Sequence, residues 1–98
     1  MVKIIGNFEV DDWVHWKKMF DQHSNAREAA GIKTIYVGNE IENTNKVHIV
    51  METPTADTMQ KFMQDPENAR VIEQSGHKQE TTVTVSYTHL TLPTTEYV

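Results

Sequence analysis

His23 and Arg27 stand one helical turn apart in the run DDWVHWKKMFDQHSNAREAAG, residues 11–31. That spacing sets an imidazole and a guanidinium side by side on one helix face. The pair could hold an anionic or phenolic ligand, the arginine through its planar fork; alternatively it satisfies a carboxylate such as Glu28 or Glu73 within the fold. His48 is the second candidate. Alternation through KVHIVME, residues 46–52, places it on the same sheet face as Val50, where burial and neighbours can tune an imidazole for proton transfer. The competing reading is a histidine satisfied in a subunit interface. A cleft lined by His23, Arg27, Tyr36 and His48 would suit acid–base work on an electron-rich phenol, with His48 accepting the proton and Arg27 and His23 stabilising the developing charge. Geometry opposes that arrangement, because the helix carrying Arg27 packs on the sheet face opposite the one assigned to His48.

The remaining chemistry is thinner. No H-x-H, H-x-x-x-H or H-E-x-x-H spacing occurs among the five histidines, and His15 and His23 lie about 80° apart around a helix, so no metal site is expected. His15 reads as solvent-exposed beside Lys18, and His77, just after Gly76, as a loop histidine bonding backbone. The chain has no cysteine and no Gly-rich phosphate loop, which leaves no thiolate, zinc–thiolate or nucleotide motif and no expected cofactor.

Composition narrows the setting. A chain of 98 residues makes one domain, and a domain this small hides only about 60–70% of the surface its unfolded form exposes, so a partner subunit would add stability. The net charge of -5 argues against nucleic acid and anionic membranes, both of which reward basic surfaces. The start MVKIIGNFEV turns polar too quickly for a signal peptide, and no stretch approaches a membrane span. A cytoplasmic protein is expected.

These side chains need a scaffold, and periodicity supplies it. Val2, Ile4, Gly6, Phe8 and Val10 alternate with Lys3, Ile5, Asn7 and Glu9, the pattern of a strand with one apolar face. Trp13, Trp16 and Phe20 then recur at helical spacing, with Asp11 as cap and Gly31 as terminator. Residues 32–41 and 46–52 are rich in β-branched residues and flank the turn Glu42-Asn43-Thr44-Asn45, a hairpin. Thr55 could cap a second helix bearing Met59, Phe62 and Met63, with an Asp57–Lys61 ion pair. Asp65-Pro66 should restart that helix, and Gly76 should end it. Residues 80–85 read as a last strand, Val83 and Val85 facing the helices and Thr82 and Thr84 facing away. The order β-α-β-β-α-β is the ferredoxin-like α+β arrangement, a four-stranded antiparallel sheet with two helices on one face. The other face, with Ile5, Asn7, Tyr36, His48, Val50, Thr82 and Thr84, is too apolar in places to stay wet, so a homodimer packed sheet to sheet is expected.

The stretches DDWVHWKKMF, AGIKTIYVG, NTNKVHIVMETP and KFMQDPENARVIEQSGH resemble the dimeric α/β barrel superfamily, which includes the antibiotic-biosynthesis-monooxygenase-like proteins and small one-domain bacterial and cyanobacterial members. The resemblance spans residues 1–84 and implies a homodimer with a possible small-molecule ligand; the cofactor-independent monooxygenases of the group make a reaction on a phenolic or polyketide-like substrate the alternative. Haem-degrading members carry an Asn on the first strand, where Asn7 stands, and this makes Asn7 a ligand-contact candidate by resemblance. They also use a Trp on the second helix and a ligating His further along it; here that helix carries Phe62 and has no His before Gly76. Finally, VSYTHLTLPT within residues 85–98 resembles one reading frame of a transposon sequencing adapter. The domain is therefore expected over residues 1–84, followed by a non-native tail over 85–98.

Overall fold

Strand β1 (Val2–Val10) buries Ile4, Gly6, Phe8 and Val10 and leaves the residues between them half-buried, as alternation requires. The computed structural model describes residues 1–88. After β1 come α1 (Trp13–Gln22), α2 (Ser24–Ala29), β2 (Lys33–Asn39), β3 (Lys46–Thr53), α3 (Thr58–Gln64), α4 (Pro66–Gln74) and β4 (His77–Tyr87). The strands form one sheet in the order β2-β3-β1-β4, every neighbouring pair antiparallel. This is the ferredoxin-like arrangement, with each expected helix divided in two.

The divisions have local causes. His23 leaves helical geometry at φ -95°, ψ 10° between α1 and α2, and its N–H still reaches Met19 and Phe20. Between α3 and α4, Asp65 is extended and its carboxylate accepts from the N–H groups of Glu67 and Asn68, with Pro66 in the first turn; that restart is the one Asp-Pro predicts. Two caps differ from expectation. Asp12, not Asp11, caps α1 by accepting from His15 N–H at 2.9 Å. Thr55 instead closes a small turn with Asp57 and Thr58, and α3 begins after Asp57. The Asp57–Lys61 pair forms at 3.1 Å. Gly31 and Gly76 end their segments at φ 81° and 82°, a backbone region closed to most side chains.

The core lies between one sheet face and the helices: Phe8, Val10, Val47, Ile49 and Met51 from the strands meet Trp16 and Phe62. One sheet assignment is corrected. Asn7 pairs with Val83, but Glu9 pairs with Lys78, so residues 79–82 stand opposite Phe8 alone. The excess is an odd number of residues, and an odd excess reverses the side-chain parity of everything beyond the bulge. Thr84 therefore pairs with Gly6 on the helix side, while Val83 and Val85 pair with Asn7 and Ile5 on the open side, 57% and 49% exposed. Thr81 holds the bulge, its hydroxyl donating to Lys78 C=O at 2.6 Å and accepting from Glu9 N–H at 2.8 Å. Strand β4 carries the fold through Tyr87; the rest of the expected tail, from His89 on, lies outside the described residues.

Candidate functional site

An aromatic column runs across the helix-covered face. The His77 ring stacks on Phe8 at 3.9 Å between centroids, Phe8 meets Trp16 edge-on at 5.4 Å, Trp16 stacks on Phe20 at 4.8 Å, and the Arg27 guanidinium lies 3.6 Å above the Phe20 ring. The helical spacing of Trp16, Phe20, His23 and Arg27 supplies one half of the column, and strand alternation supplies Phe8. A cavity of about 120 Å³ lies beside it, walled mainly by Ile4, Ile49, Met51, Met59, Phe62 and Met63. Gly6 keeps its floor open: a Cβ there would lie 3.1 Å from Thr84 Cγ2 and 3.6 Å from Ile49 Cγ2.

Polar groups enter this cavity at few points. Arg27, only 7% exposed, donates from Nη1 to Phe20 C=O at 2.8 Å. Burial lowers its pKa, with Asp21 and Glu28 opposing that shift from a distance; an arginine nonetheless stays charged. His23 Nε2 lies 3.0 Å from Asn68 Oδ1, and Asn68 Nδ2 donates to Phe62 C=O at 3.0 Å. That second bond fixes the Asn68 amide, so its oxygen accepts from His23. At the other end of the column His77 Nε2 and Thr82 Oγ1 share a hydrogen bond of 2.8 Å. Desolvation pushes the His77 pKa from 6.5 down to about 4, against a smaller opposing pull from Glu80, so His77 is neutral at pH 7. Ser75, Thr82 and Thr84 also border the cavity.

The expected four-residue cleft is divided by the sheet. His23 and Arg27 line the cavity; Tyr36, His48 and Asn7 lie on the opposite, open face. There Asn7 pairs with His48 across β1 and β3, and His48 Nε2 meets Glu40 Oε2 at 2.5 Å. Tyr36 is 57% exposed and lies over Gly38, where a Cβ would fall 2.7 Å from its hydroxyl oxygen. Around them Ile5, Val50, Val83, Val85 and the Lys3–Glu52 ion pair complete that surface. His15 is solvent-exposed, as expected, and its ring donates to Gln74 C=O at 3.0 Å. The two threonines were missed as cavity residues because the bulge that turns them inward has no signature in composition or alternation, and His77 was missed because β4 begins at His77 rather than at residue 80, which makes it a strand residue and not a loop one. Among the described residues no group of three or more His, Asp or Glu side chains could hold a metal ion, and no helix is long and apolar enough to cross a membrane.

Fold and cavity together define a protein of the antibiotic-biosynthesis-monooxygenase-like ferredoxin fold. A Bordetella bronchiseptica protein inferred to be an antibiotic biosynthesis monooxygenase superposes with a TM-score of 0.72 at 14% identity, covering 92% of this chain and 97% of that one. SnoaB of Streptomyces nogalater, a cofactor-independent oxygenase whose structure is that of a point mutant, gives 0.68 at 14% identity over 95% and 97%. A NIPSNAP domain protein of Burkholderia xenovorans gives 0.65 at 10% identity over 98% and 97%. At such identities the likeness is one of fold. No curated protein matches in sequence. The chain belongs to the family described as domain of unknown function DUF3764, whose model matches residues 3–89.

Proposed function

We propose that the protein is a cytoplasmic homodimer that binds a small, largely apolar molecule in the cavity between its sheet and helices. The observation that carries this reading is the cavity itself: apolar walls along an aromatic column, with Arg27 and His77 at the two ends of the column. Ligand sites commonly combine apolar walls with a few fixed polar groups. The absence of cysteine and the net charge of -5 suit a reducing, aqueous compartment. Titrating the protein with small aromatic and alkyl compounds while following tryptophan emission tests the reading, because Trp16 lines the cavity. Saturable change that is lost on Gly6→Val, which fills the floor, is the expected result.

The dimer half rests on the open face. Val85, Ile5, Val50 and Tyr36 form a band across all four strands, which a second copy packed sheet to sheet would cover. In this reading Asn7, Tyr36 and His48 lie between subunits. A monooxygenase reaction would need His48 and Arg27 at one substrate, and they are on opposite faces of the sheet, so binding is the stronger reading.

A further inference from the structure

We infer that the ligand is a hydrophobic carboxylic acid whose carboxylate pairs with Arg27. The inference rests on the binding reading and adds the chemical class of the ligand. A guanidinium carries five N–H donors. Arg27 spends one on Phe20 C=O and lays its face on the Phe20 ring. Among the described residues no carboxylate forms an ion pair with it. Asp21, one of the two acids that act on it from a distance, is engaged by Lys17 at 2.7 Å. Glu28, the other, lines a second cleft together with Ser24, Lys33 and Arg27, and it makes no ion pair with the guanidinium.

A buried cation without an anion is costly, and pairing it within a dry site recovers that cost. The cavity is where the missing partner fits. Arg27 borders it, and most of its other walls are methionine, isoleucine and aromatic side chains that reward an apolar body. The planar fork matches both oxygens of a carboxylate. A single guanidinium in a protein of net charge -5 disfavours multiply charged anions such as phosphate esters. Neutral His77, at the far end of the column, offers no second positive charge at pH 7.

Three probes of one chain length separate the possibilities: octanoate, octanol and octylamine, titrated into the full-length protein at pH 7.5 with tryptophan emission as readout. Octanoate should bind about tenfold or more tightly than octanol, a factor worth about 1.4 kcal/mol, and octylamine should bind most weakly. In Arg27→Met the octanoate-to-octanol affinity ratio should fall to within about twofold of one. Octanol binding as tightly as octanoate to the unmodified protein would overturn the acid inference and leave the cavity reading standing. Failure of all three probes to bind would overturn both. Should Arg27→Met not fold, the octanoate-to-octanol ratio in the unmodified protein decides the matter alone.

Discussion

The two faces of the sheet are built from the same strands and finished differently. On the helix side Ile4, Gly6 and Phe8 are closed over, and the groups that could do chemistry are set by packing: Arg27 on Phe20, His77 on Phe8. On the open side Lys3, Ile5 and Asn7 alternate with them and end in pairs that water can reach, Lys3 with Glu52 and His48 with Glu40. The covered face is packed by apolar neighbours and, among the described residues, its buried arginine has no ion-pair partner. The open face satisfies its charges and lacks apolar neighbours. In the proposed function the first takes a small molecule and the second a second copy of the chain.

The largest expected effect is on the covered face. Phe8→Ala removes the ring that carries both Trp16 and His77 and should cost about 3–5 kcal/mol, read from chemical denaturation. Ile5→Ala, on the other face, should cost less than about 1.5 kcal/mol in a monomer. In a dimer its cost should grow with protein concentration. Equal costs at all concentrations would contradict the assigned difference between the faces.

A charge placed in the open band comes next. Val50 pairs with Ile5 on one side and Tyr36 on the other, so Val50→Asp would bury a carboxylate at the centre of a sheet-to-sheet contact. The dimer should weaken by about 100-fold or more, since an unpaired buried charge costs several kcal/mol, while near-ultraviolet dichroism from Trp16 stays native. Light scattering reads the mass directly. A stable, folded monomer of the unmodified protein at micromolar concentration would remove the dimer from the account.

These two faces also mark what the sequence could disclose. The strands, the Asp-Pro restart and both terminating glycines follow from alternation and from residues whose backbone preferences are narrow. Trp16, Phe20, His23 and Arg27 share a face because 3.6-residue periodicity allows little else. The inward turn of Thr82 and Thr84 was illegible, because it depends on extra residues in β4 opposite Phe8, a property of pairing that one strand's pattern does not hold. His77 escaped for a different reason: β4 begins three residues earlier than its alternation suggests, and the Val10↔His77 pairing at its start sets the ring beside Phe8. The orphaned state of Arg27 was equally hidden, since Glu28 and Glu73 were both plausible partners on spacing alone.

His77 gives a smaller, pH-dependent effect confined to the covered face. Its pKa is about 4 in the folded protein and 6.5 as a free side chain, so below pH 6.5 the unfolded chain binds a proton that the folded one refuses. Stability should therefore fall as pH drops from 6.5 to 4 and level off below that, by up to about 2 kcal/mol once solvent screening of the partly exposed ring is allowed for. His77→Phe keeps the stack on Phe8 and should flatten that slope between pH 6.5 and 4.5. The depressed carboxyls of Glu52 and Asp57 also favour the folded state, but their contribution is lost mainly at more acidic pH, which leaves this window to His77. Urea midpoints at pH 4.5 and 7 for both proteins decide it.

The smallest effect is expected from deleting residues 90–98, the end of the stretch resembling a sequencing adapter that begins in β4. Within it Val85, Ser86 and Tyr87 pair with Ile5, Ile4 and Lys3, so their backbones complete the sheet whatever the origin of their codons, and the family match itself runs to residue 89. Within a single protomer side-chain identity matters less there, because Val85 and Tyr87 lie on the exposed side; Val85 gains weight only in the proposed dimer. We propose that residues 85–98 are a non-native tail whose contribution to the stability of a protomer is limited to this backbone pairing. Deleting residues 90–98 should then shift the melting temperature by less than about 2 °C, whereas deleting 85–98 removes three paired residues at about 0.5–1.5 kcal/mol for each hydrogen bond lost, an expected fall of roughly 4–8 °C per kcal/mol for a domain of this size. A fall of similar size in both deletions would mean that residues 90–98 pack on the domain and that the boundary at Thr84 is wrong.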